Sequence, residues 1–189
     1  MVATKRILAY ILIGLLPVLV SCQSTEKANY HREVEKSKEF VQRRFNDMNA
    51  QSNKRLGLLH RLFSLETSGS KQIMSELRKA ENEVNNLQLK NNAIVHSQLD
   101  QQTLDKYIHL QEKITDEVIA LDLLVNNNGT MSQPGLSELL IQLKKVTKRI
   151  SIDARKFSYQ LKRHNESYPE HKIPLTYSIS NSILDKVAS

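Results

Sequence analysis

The chain has 189 residues, of which 27 are Lys or Arg and 20 are Asp or Glu, so its formal net charge is +7. An excess this modest, spread over a long chain, is more typical of a solvated surface than of a nucleic-acid site. We therefore expect no nucleic-acid partner. The single cysteine excludes an intramolecular disulfide, so packing must stabilise the fold.

The amino-terminal segment has the pattern of an export signal. Lys5 and Arg6 supply positive charge, residues 7–20 form an apolar stretch, and small residues precede the only thiol. A permanent transmembrane helix is one alternative, but it needs about 20 apolar residues, and this stretch is shorter and contains Pro17. An ordinary cleaved signal, in which the cysteine has no role, is another.

Residues 19–22, Leu-Val-Ser-Cys, resemble the lipobox of bacterial lipoproteins. The resemblance implies lipidation at Cys22: the sulfur receives a diacylglyceryl group, the chain is cut before the cysteine, and the new amino terminus is acylated, for example with palmitate. Two or three acyl chains anchor a protein lastingly, because each buried methylene contributes about 0.8 kcal/mol. We therefore predict a signal peptide at 1–21, a lipidated tether at 22–29, and membrane lipid as a partner.

The compartment follows from the same resemblance. Gln23 and Ser24 follow the cysteine, where many Gram-negative lipoproteins retained at the inner membrane have Asp. We therefore expect a lipid-anchored protein of the bacterial cell envelope, on the periplasmic face of the outer membrane.

The rest of the chain predicts helices, because Gly and Pro are few and Leu, Lys, Glu and Gln are many. Helix-breaking residues cluster at 67–70, 126–135 and 168–174. Segment one, about 26–66, carries one apolar stripe. The stripe consists of Tyr30, Val34, Val41, Phe45, Met48, Leu59 and Leu62.

Segments two and three, about 71–96 and 100–125, are separated by a break without Gly or Pro, so a single kinked helix is an alternative. Ser70 and Asp100 are the predicted N-caps. Paired asparagines at 85–86 and 91–92 either face solvent or sit at a helix seam. The apolar stripes are Ile73, Leu77, Ala80, Val84, Leu87 and Ile94, then Leu104, Ile108, Ile114, Val118, Leu121 and Val125.

Segment four, about 136–167, completes a predicted all-α fold, an antiparallel up-and-down four-helix bundle spanning residues 30–167. Its stripe is Leu136, Leu139, Leu143, Val146, Ile150, Phe157 and Leu161. The tail at 168–189 spaces Ile179, Ile183 and Val187 by four, which predicts a short amphipathic helix. It either engages a partner or docks on the bundle, and docking is the default because isolated short helices are marginal.

Charge differs between the last two segments. Segment three has six acids and two bases, whereas segment four has three acids and eight bases, so neighbouring packing would pair opposite charges. Such surface pairs contribute only about 0–1 kcal/mol each. The bases do not form one narrow stripe, so they indicate either a solvated face or a contact with anionic lipid or an envelope polymer.

Segment four resembles the carboxy-terminal signature helix of the LemA family. That helix has spaced leucines, an Arg-Ile pair and two Tyr-Asn pairs. Here Phe157-Ser158 and His164-Asn165 replace the Tyr-Asn pairs, and Thr147 stands where the family prefers Glu. The positions that match are Leu136, Leu139, Leu143, Arg149, Ile150 and Asn165, whereas the family's valine between the two pairs is absent.

A second block, residues 54–63, is similar to the family's Arg-Arg-x-Asp-Leu-Ile-Pro-Asn-Leu-Val. The basic pair Lys54-Arg55 and the apolar spacing persist, but the Asp, Pro and Asn do not. The resemblance spans 34–165 and implies a membrane-tethered bundle facing away from the cytoplasm. LemA proteins have no established reaction, so it supplies no catalytic residue.

Motifs for chemistry are lacking in the sequence. None of the six histidines follows a Glu at i−3, and a structural zinc site lacks its cysteines. We therefore predict no catalytic residue, no cofactor and no metal. The expected function is a non-enzymatic scaffold with a protein or envelope-polymer partner; the alternative is a module that binds a small or lipidic ligand between its helices.

Overall fold

The computed structural model describes residues 2–65, 70–87, 89, 93–128 and 135–177, with side chains from Glu26 onward except that of Asn128. These residues form four helices and a short 3₁₀ turn, which confirms the predicted all-α class. The elements are α1 (Val2–Phe63), α2 (Lys71–Asn86), α3 (Gln101–Asn128), α4 (Leu136–Ser167) and the turn Pro169–His171.

The chain divides into two compact units, Met1–Ser37 and Lys38–Ser189. In the first unit Val34 is buried and Tyr30 is exposed. The side chain of Cys22, and with it the predicted lipidation site, lies outside the described residues, as do the side chains of the predicted signal peptide. Within the described part of the chain, no helix has the length and apolar character needed to cross a membrane.

Contacts between helices of the second unit give their directions. Where two neighbouring helices touch, residue numbers rise along one helix as they fall along the other, so the helices are antiparallel. Helices α1 and α3 are parallel instead, because Phe45 lies against Tyr107 and Arg55 against Thr115. This arrangement confirms the predicted antiparallel up-and-down bundle. The opposed pairs are Phe63–Arg78 and His60–Glu81, Glu76–Lys113 and Glu83–Lys106, Asp122–Lys144, and Phe45–Phe157 and Arg55–Thr147.

The core of the second unit is a continuous apolar cluster that draws on all four helices. The ring of Phe45 lies 6.3 Å from that of Tyr107 and 5.5 Å from that of Phe157, so α1, α3 and α4 meet at one aromatic contact. The predicted stripes supply most of the core. Ile73, Leu87, Ile108 and Val125 pack at its edge and are only partly buried.

Charge pairing differs in part from the prediction. Among the described residues, Lys144 Nζ of α4 lies 2.9 Å from Asp122 Oδ2 of α3, as expected. The two basic residues of α3, Lys106 and Lys113, instead form ion pairs with acidic residues of α2. Lys113 Nζ lies 2.7 Å from Glu76 Oε2. Hydrogen bonds from Lys113 and Lys79 lower the pKa of Glu76 to about 2. These partly exposed pairs orient neighbouring helices more than they hold them together.

Helix α2 is shorter than predicted: it ends at Asn86 rather than at His96. The side chain of Gln42 on α1 is the physical reason, because its Oε1 accepts hydrogen bonds from the backbone N–H groups of Ile94 (2.7 Å) and Val95 (3.0 Å) and holds them in a turn. The single kinked helix is therefore wrong. Asn85 and Asn86 are exposed, whereas residues 91–92 lie outside the described part of the chain.

The predicted N-caps have different outcomes. Asp100 caps α3 as predicted, since its carboxylate accepts hydrogen bonds from Thr103 N at 2.7 Å and Thr103 Oγ1 at 3.0 Å. These bonds lower the pKa of Asp100. Ser70 occupies the N-cap position of α2, but its hydroxyl makes no capping bond. Gly135 precedes α4 with φ of 90°, a left-handed conformation that glycine adopts without strain.

Residues 168–177, here called the C-terminal strap, pack on the bundle through buried Ile173 and Leu175. Two side-chain amides pair with the strap as a neighbouring strand would. Asn165 exchanges two hydrogen bonds with the backbone of Ile173 (2.9 and 3.0 Å), and Gln101 exchanges two with Thr176 (2.7 and 3.0 Å). Residues 175–177 are not helical, and the rest of the predicted tail helix lies outside the described residues.

Gln42→Leu should destabilise the protein by about 1–3 kcal/mol, because it leaves the buried N–H of Ile94 without its acceptor. Urea denaturation followed by circular dichroism measures the change. Gln102→Leu, on the exposed face of α3, is the matched control and should change stability by less than about 0.5 kcal/mol. Equal stabilities for the two variants would contradict the role given to Gln42.

Candidate functional site

A polar layer crosses the middle of the apolar core. It consists of Ser52 and Arg55 on α1, Gln111 and Thr115 on α3, and Thr147 on α4, all of them buried. Arg55 is the largest of these side chains and is 0% exposed. We call this set the Arg55 layer.

Four hydrogen bonds join the guanidinium of Arg55 to two other helices. Nη1 donates to Thr115 Oγ1 at 2.9 Å and to Thr147 Oγ1 at 3.4 Å. Nη2 donates to the Gln111 carbonyl at 3.0 Å and also to Gln111 Oε1. Gln111 Nε2 in turn donates to Ser52 Oγ at 2.7 Å, which closes the network back onto α1.

All of these partners are neutral oxygens. Among the described residues no carboxylate lies within 4 Å of Arg55, and its Nε has no hydrogen-bond partner. Burial disfavours the charged form and lowers the pKa of Arg55 to about 10, so the side chain is still cationic at neutral pH. Buried charges in proteins are normally paired, so an unpaired guanidinium in a bundle core is the unusual feature of this fold.

The helical period of α1 places Arg55 in the core. Residues 45, 48, 52, 55, 59 and 62 are separated alternately by three and four positions, and all six are buried. In the sequence Arg55 stands out only as half of a basic pair, and basic residues are usually assigned to the surface. The alternation of three and four was the signal that could have identified it.

Tyr107 lies next to the layer with an unsatisfied hydroxyl. Its Oη is buried and has no hydrogen-bond partner among the described residues. Burial raises the pKa of Tyr107 to about 12, against smaller opposing effects of the neighbouring Ser52 hydroxyl and Arg55 charge. At neutral pH the side chain is therefore a neutral phenol.

A small cavity adjoins the layer between α3, α4 and the strap. Its volume is about 30 Å³, and Gln111, Thr115, Ser151 and Tyr177 contribute to its lining. That space suits about two water molecules. A more open groove of about 350 Å³ lies between α4 and the strap.

The histidines lie apart from the Arg55 layer. His60 is exposed, with Nδ1 3.3 Å from Glu81 Oε1, whereas His164 is buried, with Nε2 3.1 Å from the His171 carbonyl oxygen. Across the described ranges, no three His, Cys, Asp or Glu side chains are grouped so that they could hold a metal ion. The Arg55 layer is the buried polar cluster that joins α1, α3 and α4, and its groups are suited to positioning these helices.

Neither family models, curated proteins nor solved structures give a match to this chain. The resemblance to the LemA family is therefore one of sequence alone; three of the residues in its two blocks make contacts that the structure describes. Arg55 contacts Thr147, the position where the family prefers Glu. Asn165, in the second signature pair, binds the strap.

Thr147→Glu should show whether Arg55 is an unpaired charge. The new carboxylate would lie beside Nη1, so the substitution should destabilise the protein less when Arg55 is present than in an Arg55→Met background. We expect a coupling free energy of about 1–3 kcal/mol from a double-mutant cycle measured by urea denaturation.

Lys148→Glu, on the exposed side of α4, is the control for this cycle and should show almost no coupling to Arg55. A Thr147→Glu variant equally destabilised in both backgrounds would contradict the assignment.

Tyr107→Phe tests the buried phenol. Stability at pH 7 should stay equal or rise by about 1 kcal/mol, because an unpartnered hydroxyl is removed. In the native chain the folded pKa is about 12 and the unfolded value is 10, so this group's stabilising contribution is present below pH 10 and is lost as the pH rises to 12.

Between pH 8 and pH 11, the free energy of unfolding of Tyr107→Phe should therefore fall by about 1 kcal/mol less than that of the native chain, as measured by urea denaturation. Arg55 has the opposite effect, since its lowered pKa makes stability rise above about pH 10, but it is common to both proteins. Tyr159→Phe, at an exposed site, is the control and should follow the native chain. A Tyr107→Phe curve parallel to the native one would contradict the assignment.

Proposed function

We propose that this protein is a LemA-like lipoprotein of the bacterial envelope, anchored through acylated Cys22, whose bundle serves as a non-enzymatic interaction module. The observation that carries the proposal is the position of the only cysteine, directly after a basic and apolar segment that ends in small residues. An acyl anchor would concentrate the bundle at a membrane surface, where contacts too weak for free solution become effective.

The packed interior supports a function at the surface. Side chains fill the core of the second unit, and the polar groups of the Arg55 layer bind mainly one another. The adjoining cavity of about 30 Å³ is far smaller than a lipid chain or a drug-sized ligand requires. An interaction module of this kind would work through its exposed helix faces.

Several large apolar side chains are available at those faces. Phe40 on α1, Leu123 on α3 and three residues of α4 are exposed, although most of their helical neighbours on the surface are polar. Single exposed apolar residues are common, whereas exposed apolar groups that lie together on one face mark contact sites. Protein or envelope-polymer partners are the proposed occupants of such faces.

The groove between α4 and the strap favours a second candidate function, the binding of a small or lipidic ligand. Its volume of about 350 Å³ falls within the range of ligand pockets, and it combines Leu161 and Leu175 with Lys162 and Lys172. Mass spectrometry of small molecules that copurify with the native protein would distinguish the candidates. A stoichiometric ligand would favour this second function.

Cys22→Ser should abolish lipidation, and the protein should leave the membrane fraction when the membranes are washed at high salt, which screens contacts made by charged side chains. Mass spectrometry of the native mature protein should find the chain beginning at Cys22 and carrying a diacylglyceryl group. Ser21→Ala, which keeps a small residue before the cysteine, is the matched control and should remain lipidated. Retention of the Cys22→Ser protein in the membrane, together with no lipid on the native chain, would disprove the anchor.

Crosslinking and pull-down of the intact lipoprotein from its native envelope would then test the interaction module. A specific protein or polymer recovered with the native chain would support it. A chain that is lipidated but recovers no specific partner would leave the anchor standing and contradict the scaffold.

A further inference from the structure

Three large apolar side chains lie in a line on the solvent side of α4. Ile141, Ile152 and Tyr159 are 63%, 40% and 65% exposed. They are 11 and 7 residues apart, and at 100° per residue these spacings place them within about 20° of one another around the helix. The line extends for about 27 Å along α4.

Basic side chains flank this line. All eight Lys and Arg residues of α4 are exposed. Three of them pair with carboxylates: Lys144 with Asp122, Lys156 with Asp153 and Lys162 with Glu166. Among the described residues the other five have no carboxylate within 4 Å, namely Lys145, Lys148, Arg149, Arg155 and Arg163.

The unpaired cations and the apolar line share one face of the helix. Lys145, Lys148, Arg155 and Arg163 all lie within about 40° of the line at the ideal helical angle. We call these four residues, with Ile141, Ile152 and Tyr159, the α4 outer face. The acids on the same side, Glu138 and Glu166, are close to the two ends of the helix, and Asp153 is buried.

We infer that the α4 outer face binds the surface of a membrane that contains anionic phospholipid. Helices that lie at a lipid interface combine apolar and aromatic side chains with Lys and Arg, because the apolar groups enter the headgroup region while the cations meet lipid phosphates. Tyrosine is favoured at this depth. A soluble anionic polymer would need the cations alone and would leave the aligned Ile141, Ile152 and Tyr159 without a role.

The contact is separate from the proposed acyl anchor, because it is made by side chains of the bundle. It therefore deepens the proposed function by naming a partner for one face of the module. Mass spectrometry of the native chain measures the acylation of Cys22, whereas a fluorophore on α4 measures the membrane contact of that helix. The acyl anchor and the α4 contact can therefore be disproved independently.

The test uses the full chain carrying Cys22→Ser and Ile152→Cys, which has a single thiol for an environment-sensitive fluorophore. The labelled protein is mixed with vesicles of phosphatidylcholine, with or without phosphatidylglycerol. We expect the fluorophore to enter an apolar environment only on the anionic vesicles, and to leave it at high salt. A fluorophore at Gln102→Cys, on the exposed side of α3, should stay in water in every case.

Charge reversal supplies a matched pair of variants. Lys145→Glu, Lys148→Glu and Arg155→Glu together should raise the anionic vesicle concentration for half-maximal response by at least about a hundredfold, since each basic residue near such a surface contributes about fivefold. Lys54→Glu, Arg61→Glu and Lys71→Glu change the net charge equally at exposed sites on α1 and α2, and should have little effect.

A double variant, Ile141→Ser with Tyr159→Ser, tests how much the apolar side chains contribute to membrane binding. These exposed substitutions should preserve the fold, checked by circular dichroism, and should weaken the response to anionic vesicles by about tenfold or more. Should the charge-reversed protein fail to fold, this variant and the salt titration of the unreversed chain still decide the outcome.

Three results would overturn the inference. The fluorophore at position 152 could remain in water on anionic vesicles, or the two charge-reversed proteins could respond alike. The labelled chain could also bind soluble polyphosphate through the same cations without the fluorophore entering lipid, which would assign the face to an anionic polymer.

Discussion

The buried guanidinium of Arg55 is the constraint on which the bundle depends. It lies in the core with no carboxylate beside it among the described residues, and neutral oxygens from Gln111, Thr115 and Thr147 accept its hydrogen bonds. An unpaired charge is costly in an apolar interior, so only one register of α1 against α3 and α4 satisfies it. Sliding α1 by one turn would separate the guanidinium from these oxygens and leave Gln111 and the threonines without their donor. The Arg55 layer thus exchanges some stability for a defined arrangement of three helices.

Side-chain amides solve a related problem where the chain leaves helical geometry. Gln42 accepts hydrogen bonds from two backbone N–H groups of the 93–97 turn, and Asn165 and Gln101 pair with the backbone of the strap. Each amide offers a donor and an acceptor at the spacing of a peptide group, so it can replace a missing backbone partner. These contacts lie at the end of the bundle where α3 begins and α4 ends, and they hold the turn and the strap there.

The fold class, the start of α3 at its Asp100 cap, and both ends of α4 could be predicted from the sequence, because they depend on local pattern. Helix α3 continues to Asn128, three residues beyond its predicted end. Residues 93–96 lie in a turn and not in the predicted helix: their apolar stripe continues that of α2, but the competing interaction comes from Gln42, more than fifty residues away. Arg55 was missed because its charge suggested the surface, although its position fits the interior period of α1. The face of α4 was only partly foreseen: its bases were noted, but the exposure of Ile141, Ile152 and Tyr159 was not.

What the sequence determined by itself was the helical nature of the chain and the distinctive position of Cys22, because helix propensity, apolar period and a short motif are properties of neighbouring residues. What only the tertiary structure decided was which side chains share an environment. Arg55 meets Thr147 across 92 residues, and the α4 outer face is defined by the helices packed behind it. Burial and charge pairing depend on distant parts of the chain, so the same basic residue type is enclosed in α1 and exposed in α4.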